Sequence, residues 1–310
     1  GNDQVLSAQQ IGNGEALEVQ ALNFAGRASA GNLNIIDLTG NLTTANLTLE
    51  KSNTPINGAS ASGDVCLDVA NGTLNINSNV SAGNNAALRA ANDINLNGSV
   101  NAGQTASLEA TNGSIRDNGD AAVDVNATNL VATTGGNIGT QADGLELTVA
   151  NMAARAGGTV FVQDTTGNLT VTNLTTIKGN SAVTGVNAGS DVCIDAAAGN
   201  LSVDSVVVSG SNAALHARDS IILNGNVTAA NTASLEASNG DIRDNNDAAV
   251  DVKAANVVMS ANGTVGTLTD GIEIDANVLA AKAATGSVVV TDVAGDLSLG
   301  ALTTIKGNNL

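Results

Sequence analysis

Apolar and polar residues alternate along this chain in short runs. Leu74-Asn75-Ile76-Asn77, Ala122-Val123-Asp124-Val125, Leu145-Glu146-Leu147-Thr148-Val149 and Ile272-Glu273-Ile274-Asp275 all have a period of two, which predicts β-strands with one face turned inward. Asn71-Gly72, Asn112-Gly113, Asn239-Gly240 and Asn262-Gly263 bound such runs and predict sharp corners with positive φ. Amphipathic helix is the weaker pattern. Apolar residues at three-to-four spacing are few and are interrupted by Asn, Gly, Ser and Thr, which compete with helical hydrogen bonding.

The run-and-corner unit recurs roughly every 19–23 residues, the length of one solenoid coil. A longer period overlies it. Asp64-Val65-Cys66-Leu67-Asp68 returns as Asp191-Val192-Cys193-Ile194-Asp195, and Ile115-Arg116-Asp117-Asn118 returns at the same offset as Ile242-Arg243-Asp244-Asn245. The predicted fold class is therefore all-β: a parallel β-helix (β-solenoid) with coils of about 21 residues. It is expected to run as a single continuous solenoid over 1–310, with internal repeats at approximately 1–64 (partial), 65–191 and 192–310. Asn71, Asn92 and Asn112 stand about one coil apart and predict a side-chain amide ladder.

Composition narrows the classes. The chain has 310 residues, 43% of them hydrophobic and 13% charged, too apolar for simple disorder. Trp and Tyr are absent, and Phe24 and Phe161 read as core. A formal charge of −18 argues against nucleic acid and anionic membrane surfaces, and no apolar run reaches the roughly 18 residues that a helical span needs. The sequence opens and closes within repeats, so the expected partners are other copies of the chain or the rest of a longer polypeptide.

Candidate chemistry is sparse. Alternation places Cys66 and Cys193 outward, in a column of small residues with Ala87, Ser107, Ala214 and Ser234. Stacking sets the two cysteines too far apart for a bridge; an inert, partly covered thiol copied with the repeat is the simpler reading, and inter-chain contact through Cys66 and Cys193 is the alternative. Asp117-Asn118-Gly119-Asp120 and Asp244-Asn245-Asn246-Asp247 resemble fragments of a calcium loop, because hard cations take carboxylate oxygens from a turn. Asp117, Asp120, Asp244 and Asp247 are thus the metal candidates and calcium the only cofactor suggested. Neither fragment has the spaced ligand series ending in Glu, so a solvated turn is the simpler reading, with Arg116 or Arg243 able to pair with an Asp. His216, the only histidine, is expected to be a surface residue matching Arg89 in the preceding repeat. Glu109 and Asp124 read as outward acids on neighbouring coils, and no aromatic platform accompanies them, so no catalytic residues are assigned.

The run from Gly113 to Val171, GSIRDNGDAAVDVNATNLVATTGGNIGTQADGLELTVANMAARAGGTVFVQDTTGNLTV, and its second copy from Gly240 to Leu299 resemble the repetitive shafts of large secreted bacterial adhesins of the filamentous haemagglutinin type. The resemblance implies a right-handed parallel β-helix exported across the Gram-negative envelope, a structural shaft or filament segment that is extracellular at the bacterial cell surface. The mid-repeat ends add the expectation of end-to-end self-assembly or continuation in a longer chain, the chain is read as non-enzymatic, and a host or cell-surface receptor is the expected further partner. The alternative reading is a β-helical carbohydrate-active enzyme or glycan-binding module.

Overall fold

The structure, a computed structural model, describes residues 3–12 and 14–305. Every named element is a strand, and the strands stack in parallel in about 14 coils of ~21 residues, a β-solenoid. The chain divides into two compact units, one formed mainly by Gly1–Gly139 and the other mainly by Val149–Leu174 and Val183–Leu310.

In the first unit, Val65, Ala86, Ala106 and Leu130 stack as one column, each on the coil after the last. In the second, Val192, Ala213, Ala233 and Val257 form the matching column with the same spacing between successive members. Inward residues fill each coil: Val65, Leu67, Leu88, Leu108, Ile94 and Ile115 in the first unit, and Ile194, Ile221, Leu235 and Ile242 in the second, are all fully buried. At roughly 25 cal/mol per Å² of apolar surface removed from water, these stacked Leu, Ile and Val columns supply the main favourable free energy. The parallel ladders pair the backbone within each unit, so the polar main chain can lie against that interior at little cost.

Longer steps, from Leu33 to Val65 and from Val160 to Val192, mark coils that carry an excursion. In the first unit this is an antiparallel hairpin of Asn46–Leu49 with Thr54–Asn57. Asn53, at φ 53°, turns its tip. A second hairpin joins Asn173–Thr175 to Ala182–Thr184.

The corners work differently from the sequence expectation. Gly72, Gly113, Gly240 and Gly263 are not among the positive-φ glycines, whereas Gly119, Gly139, Gly167 and Gly266 are. The Asn-Gly glycines answer to close stacking instead. A Cβ on Gly72 would stand 2.0 Å from the Gly40 carbonyl oxygen, and one on Gly263 would stand 1.9 Å from Asp241 Oδ1. Nor do Asn71, Asn92 and Asn112 form an amide ladder. Asn71 Nδ2 donates to Leu38 O at 2.7 Å and Asn112 Nδ2 to Ala91 O at 3.0 Å, so these side chains reach the backbone of the coil before. Amide stacking does occur in a mid-strand column, where Asn95 Nδ2 donates to Asn75 Oδ1 at 2.8 Å, and beside it, where Asn97 Nδ2 donates to Asn77 Oδ1 at 2.7 Å.

Strands over Leu74–Ile76, Leu145–Ala156 and Ile272–Ala283 match the alternation. The run Ala122–Val125 does not become a strand until Val125. Asp120 Oδ1 accepts the Ala122 N–H at 2.6 Å, and such a local side-chain bond holds the backbone in a turn.

Candidate functional site

Three groups of side chains depart from simple repeat packing. The first begins at a corner of the second unit, where Gly266, at φ 67°, reverses the chain. Thr267 and Asp270 then exchange backbone hydrogen bonds at 2.6 and 3.2 Å, while Thr267 Oγ1 donates to Asp270 O and accepts from Asp270 N. This small closed loop holds the Asp270 side chain beside Asp244, at the end of the strand Ile242–Asp244, and Glu273, near the start of the strand Ile272–Ala283. One carboxylate oxygen of each lies within 4.8 Å of the other two. Glu273 is 8% exposed, and Asp244 Oδ2, Asp270 Oδ2 and Glu273 Oε2 are buried without a hydrogen-bond partner.

Adjacent cations are committed elsewhere: Arg243 pairs with Asp241 at 2.6 Å and Lys253 with Asp275 at 2.6 Å. Burial therefore raises both Asp244 and Glu273 above the ordinary carboxylate range, with neighbouring acids adding to it. Asp251 lies alongside. Its Oδ2 accepts the Glu273 N–H at 2.9 Å, and burial pushes its carboxyl up to about 7.

Of the four acids singled out in the sequence, then, Asp244 joins a carboxylate cluster, although with Asp270 and Glu273 and not with Asp247. Asp247 Oδ1 accepts the Ala249 N–H at 2.6 Å and serves the turn. Asp120 does the same for Ala122, and hydrogen bonds from Ala122 and Asn118 hold its exposed carboxyl below the usual range. Asp117 Oδ2 accepts the Gly119 N–H at 3.2 Å. Arg116 pairs with Asp93 at 3.3 Å, not with the turn acids. Asp270 and Glu273 were legible, because the string Thr-x-x-Asp-Gly-(Leu/Ile)-Glu occurs at 140–146 and again at 267–273. A contiguous calcium loop, the pattern expected around Asp117 and Asp244, does not extend to it.

The second group is the small-residue column. Cys66 pairs across the ladder with Ala87, and Ala87 with Ser107, as the alternation predicts. The chain itself covers it. Residues Thr175–Ala182 belong to the first unit, and Ile177 N donates to Ser107 Oγ at 3.1 Å while Gly179 N donates to Glu109 Oε1 at 3.1 Å. Lys178 lies 3.5 Å from Asp68 and donates to Cys66 Sγ at 3.6 Å. A recess of ≈ 370 Å³ remains beneath this arm, lined in part by Asp64, Asn85, Cys66 and Lys178. Burial pushes the Cys66 thiol up, and Lys178 opposes that shift.

In the second unit the equivalent column, Cys193, Ala214 and Ser234, is covered by Ile305, whose N–H donates to Ser234 Oγ at 2.8 Å. Neither Cys66 nor Cys193 is in a disulfide. The place that the alternation offers to a second chain is thus filled from the same chain. The Leu-Thr-Thr-Ile-Lys-Gly string at 174–179 and 302–307 is the signal that could have revealed it. Phe24 is fully buried; Phe161 is buried in this outward cluster, against Cys193 and Ala214.

His216 is the third group, and it is not a surface residue. It is 7% exposed, with Nδ1 2.5 Å from Asp195 Oδ1 and Nε2 2.8 Å from Ser238 Oγ. Stacked outward side chains stand one inter-strand spacing apart and cover each other, which removes His216 from water between Asp195 and Glu236. The order Asp-His-Ser matches a nucleophilic relay, but acyl transfer also requires N–H donors for the oxyanion. The N–H groups of Ser238, Asn239 and Gly240 are all given to the ladder, on Ala217, Arg218 and Asp219. The chain of bonds satisfies a buried imidazole. The acids Glu109 and Asp124 likewise serve the fold: Glu109 accepts from the arm, and Asp124, buried and pushed up to about 8, accepts the Glu146 N–H at 2.9 Å.

No protein-family model, curated protein or solved structure matches this chain. No helix of the described residues is long and apolar enough to cross a membrane.

Proposed function

We propose that the chain is a segment of the shaft or filament of a large secreted bacterial surface adhesin, wound as a right-handed solenoid and acting mechanically at the cell surface. The observation that carries this reading is the recurrence of the coils: the column Val65, Ala86, Ala106, Leu130 is matched step for step by Val192, Ala213, Ala233, Val257. A protein made by repeating one layer gains length without new packing problems, because each coil meets only its neighbours. The polar groups offer further support. His216, Glu109, Asp124 and both cysteine columns are occupied in holding coils, turns and arms together, and none of them converges on a groove of the kind glycan cleavage needs. In this reading the partners are other copies of the chain or further coils of a longer polypeptide, and a receptor on a host or neighbouring cell.

Electron microscopy of the purified full chain tests it. Thin rods or regular fibres are the expected outcome. Compact particles that cleave glycans, or that label at Ser238 with a fluorophosphonate, would overturn the shaft in favour of an enzyme.

A further inference from the structure

We propose that Asp244, Asp270 and Glu273 form a calcium site in the second unit, one that clamps the Gly266–Gly271 corner to the strand Ile242–Asp244. Three carboxylate oxygens within 4.8 Å of one another fit around one ion at calcium–oxygen distances of roughly 2.3–2.6 Å. An acidic group of this kind on an open surface would mean little, since water would solvate it. Here Glu273 is more than nine-tenths buried, at 8% exposure, and one oxygen of each acid is shut away from solvent with no donor to meet it. Leaving buried carboxylate oxygens unpaired is costly, and neither Arg243 nor Lys253 relieves it. A divalent cation does so with a single ligand, and calcium accepts irregular oxygen geometry where magnesium demands a near-ideal octahedron.

The repeat adds an independent argument. The offset that relates the two cysteine motifs also carries Asp117, Asp143 and Glu146 onto Asp244, Asp270 and Glu273. The residues between them have drifted, Leu268-Thr269 standing where the other copy has Gln141-Ala142, and Asn246 where it has Gly119. All three acids are kept, together with the threonine and glycine that shape the corner, Thr267 and Gly271 matching Thr140 and Gly144. A merely solvated turn places no such demand on three residues so widely separated in sequence.

Equilibrium dialysis of the full chain against radiolabelled calcium tests the site, with Glu273→Gln and Asp270→Asn as variants that keep side-chain size. Wild type is expected to bind calcium with Kd of roughly 0.1–1 mM, the range of rigid extracellular modules. Each variant should lose one bound equivalent while keeping the far-ultraviolet circular dichroism of the parent, and calcium should raise the wild-type Tm more than it raises that of either variant. No binding by wild type at several millimolar calcium, or folded variants that bind as many ions as wild type, would overturn the site. Should one variant fail to fold, the other decides by the same count.

Discussion

The backbone N–H of Ile177 donates to the side-chain oxygen of Ser107 at 3.1 Å, across 70 positions of sequence. The bond is repeated between Ile305 and Ser234 at 2.8 Å. Each arm therefore docks on a column whose residues are small because something must lie on them. Truncating Ser107 to Ala removes the acceptor of that N–H and should destabilise arm docking by about 1 kcal/mol, read as a lower urea midpoint.

Thiol labelling reads the docking directly. In the native chain Cys66 should react slowly with maleimide, its thiol raised by burial. Ile177→Asp should loosen the arm and speed labelling of Cys66 while leaving Cys193 slow, and Ile305→Asp should do the reverse. Lys178→Met should slow Cys66 further, because the ammonium that favours the thiolate is gone. Equal rates in all variants would mean that the arms do not shield the thiols.

Substitutions of glycine separate two kinds of corner. Gly72→Ala drives a methyl to 2.0 Å from a carbonyl of the adjacent coil and should lower unfolding stability by roughly 2–4 kcal/mol. Gly167→Ala meets nothing within 4 Å but must hold φ at 70°, which costs about 1–2 kcal/mol. Urea midpoints should rank wild type, Gly167→Ala, Gly72→Ala in falling order; the opposite ranking of the two variants would refute the stacking argument.

Asp164 gives a pH dependence of stated sign. It is fully buried, its Oδ1 accepts the Val149 N–H at 3.0 Å, and burial pushes its pKa up to about 6 from an ordinary 3.8. The folded state therefore binds the proton more tightly than the unfolded state. Its contribution is fully present below about pH 4 and is lost as pH rises through about 6, a loss of about 3 kcal/mol at most. Asp164→Asn, which stays neutral, should remove that slope: unfolding free energies of wild type should fall relative to the variant between pH 4 and pH 7, and parallel curves would exclude it.

His216→Ala should leave Ser238 without its imidazole partner and Asp195 with the Gln163 amide at 3.0 Å. A loss of roughly 1–3 kcal/mol is expected from the broken buried bonds, read from urea unfolding. A variant as stable as wild type would show that the Asp195–His216–Ser238 chain does not support the fold.

The architecture was determined by the sequence alone, because strand alternation, turn residues and a repeat of fixed length are local properties that each coil states again. The inward set of Leu, Ile and Val and the outward placement of Cys66 and Cys193 followed from a period of two. What tertiary structure decided was every relation made by stacking. Coil contact explains why Gly72 needs room and not a positive φ, and why Asn71 donates to a backbone carbonyl one coil away. Only the fold could show that residues near 177 return to cover Ser107, or that the neighbours of His216 would bury it. The same holds for Asp244, which meets Asp270 and Glu273 across a corner while its near neighbour Asp247 stays in the turn. Alternation assigns a side chain to a face, but burial on that face depends on which residues from distant positions are stacked above it, and spacing along one strand carries no record of them.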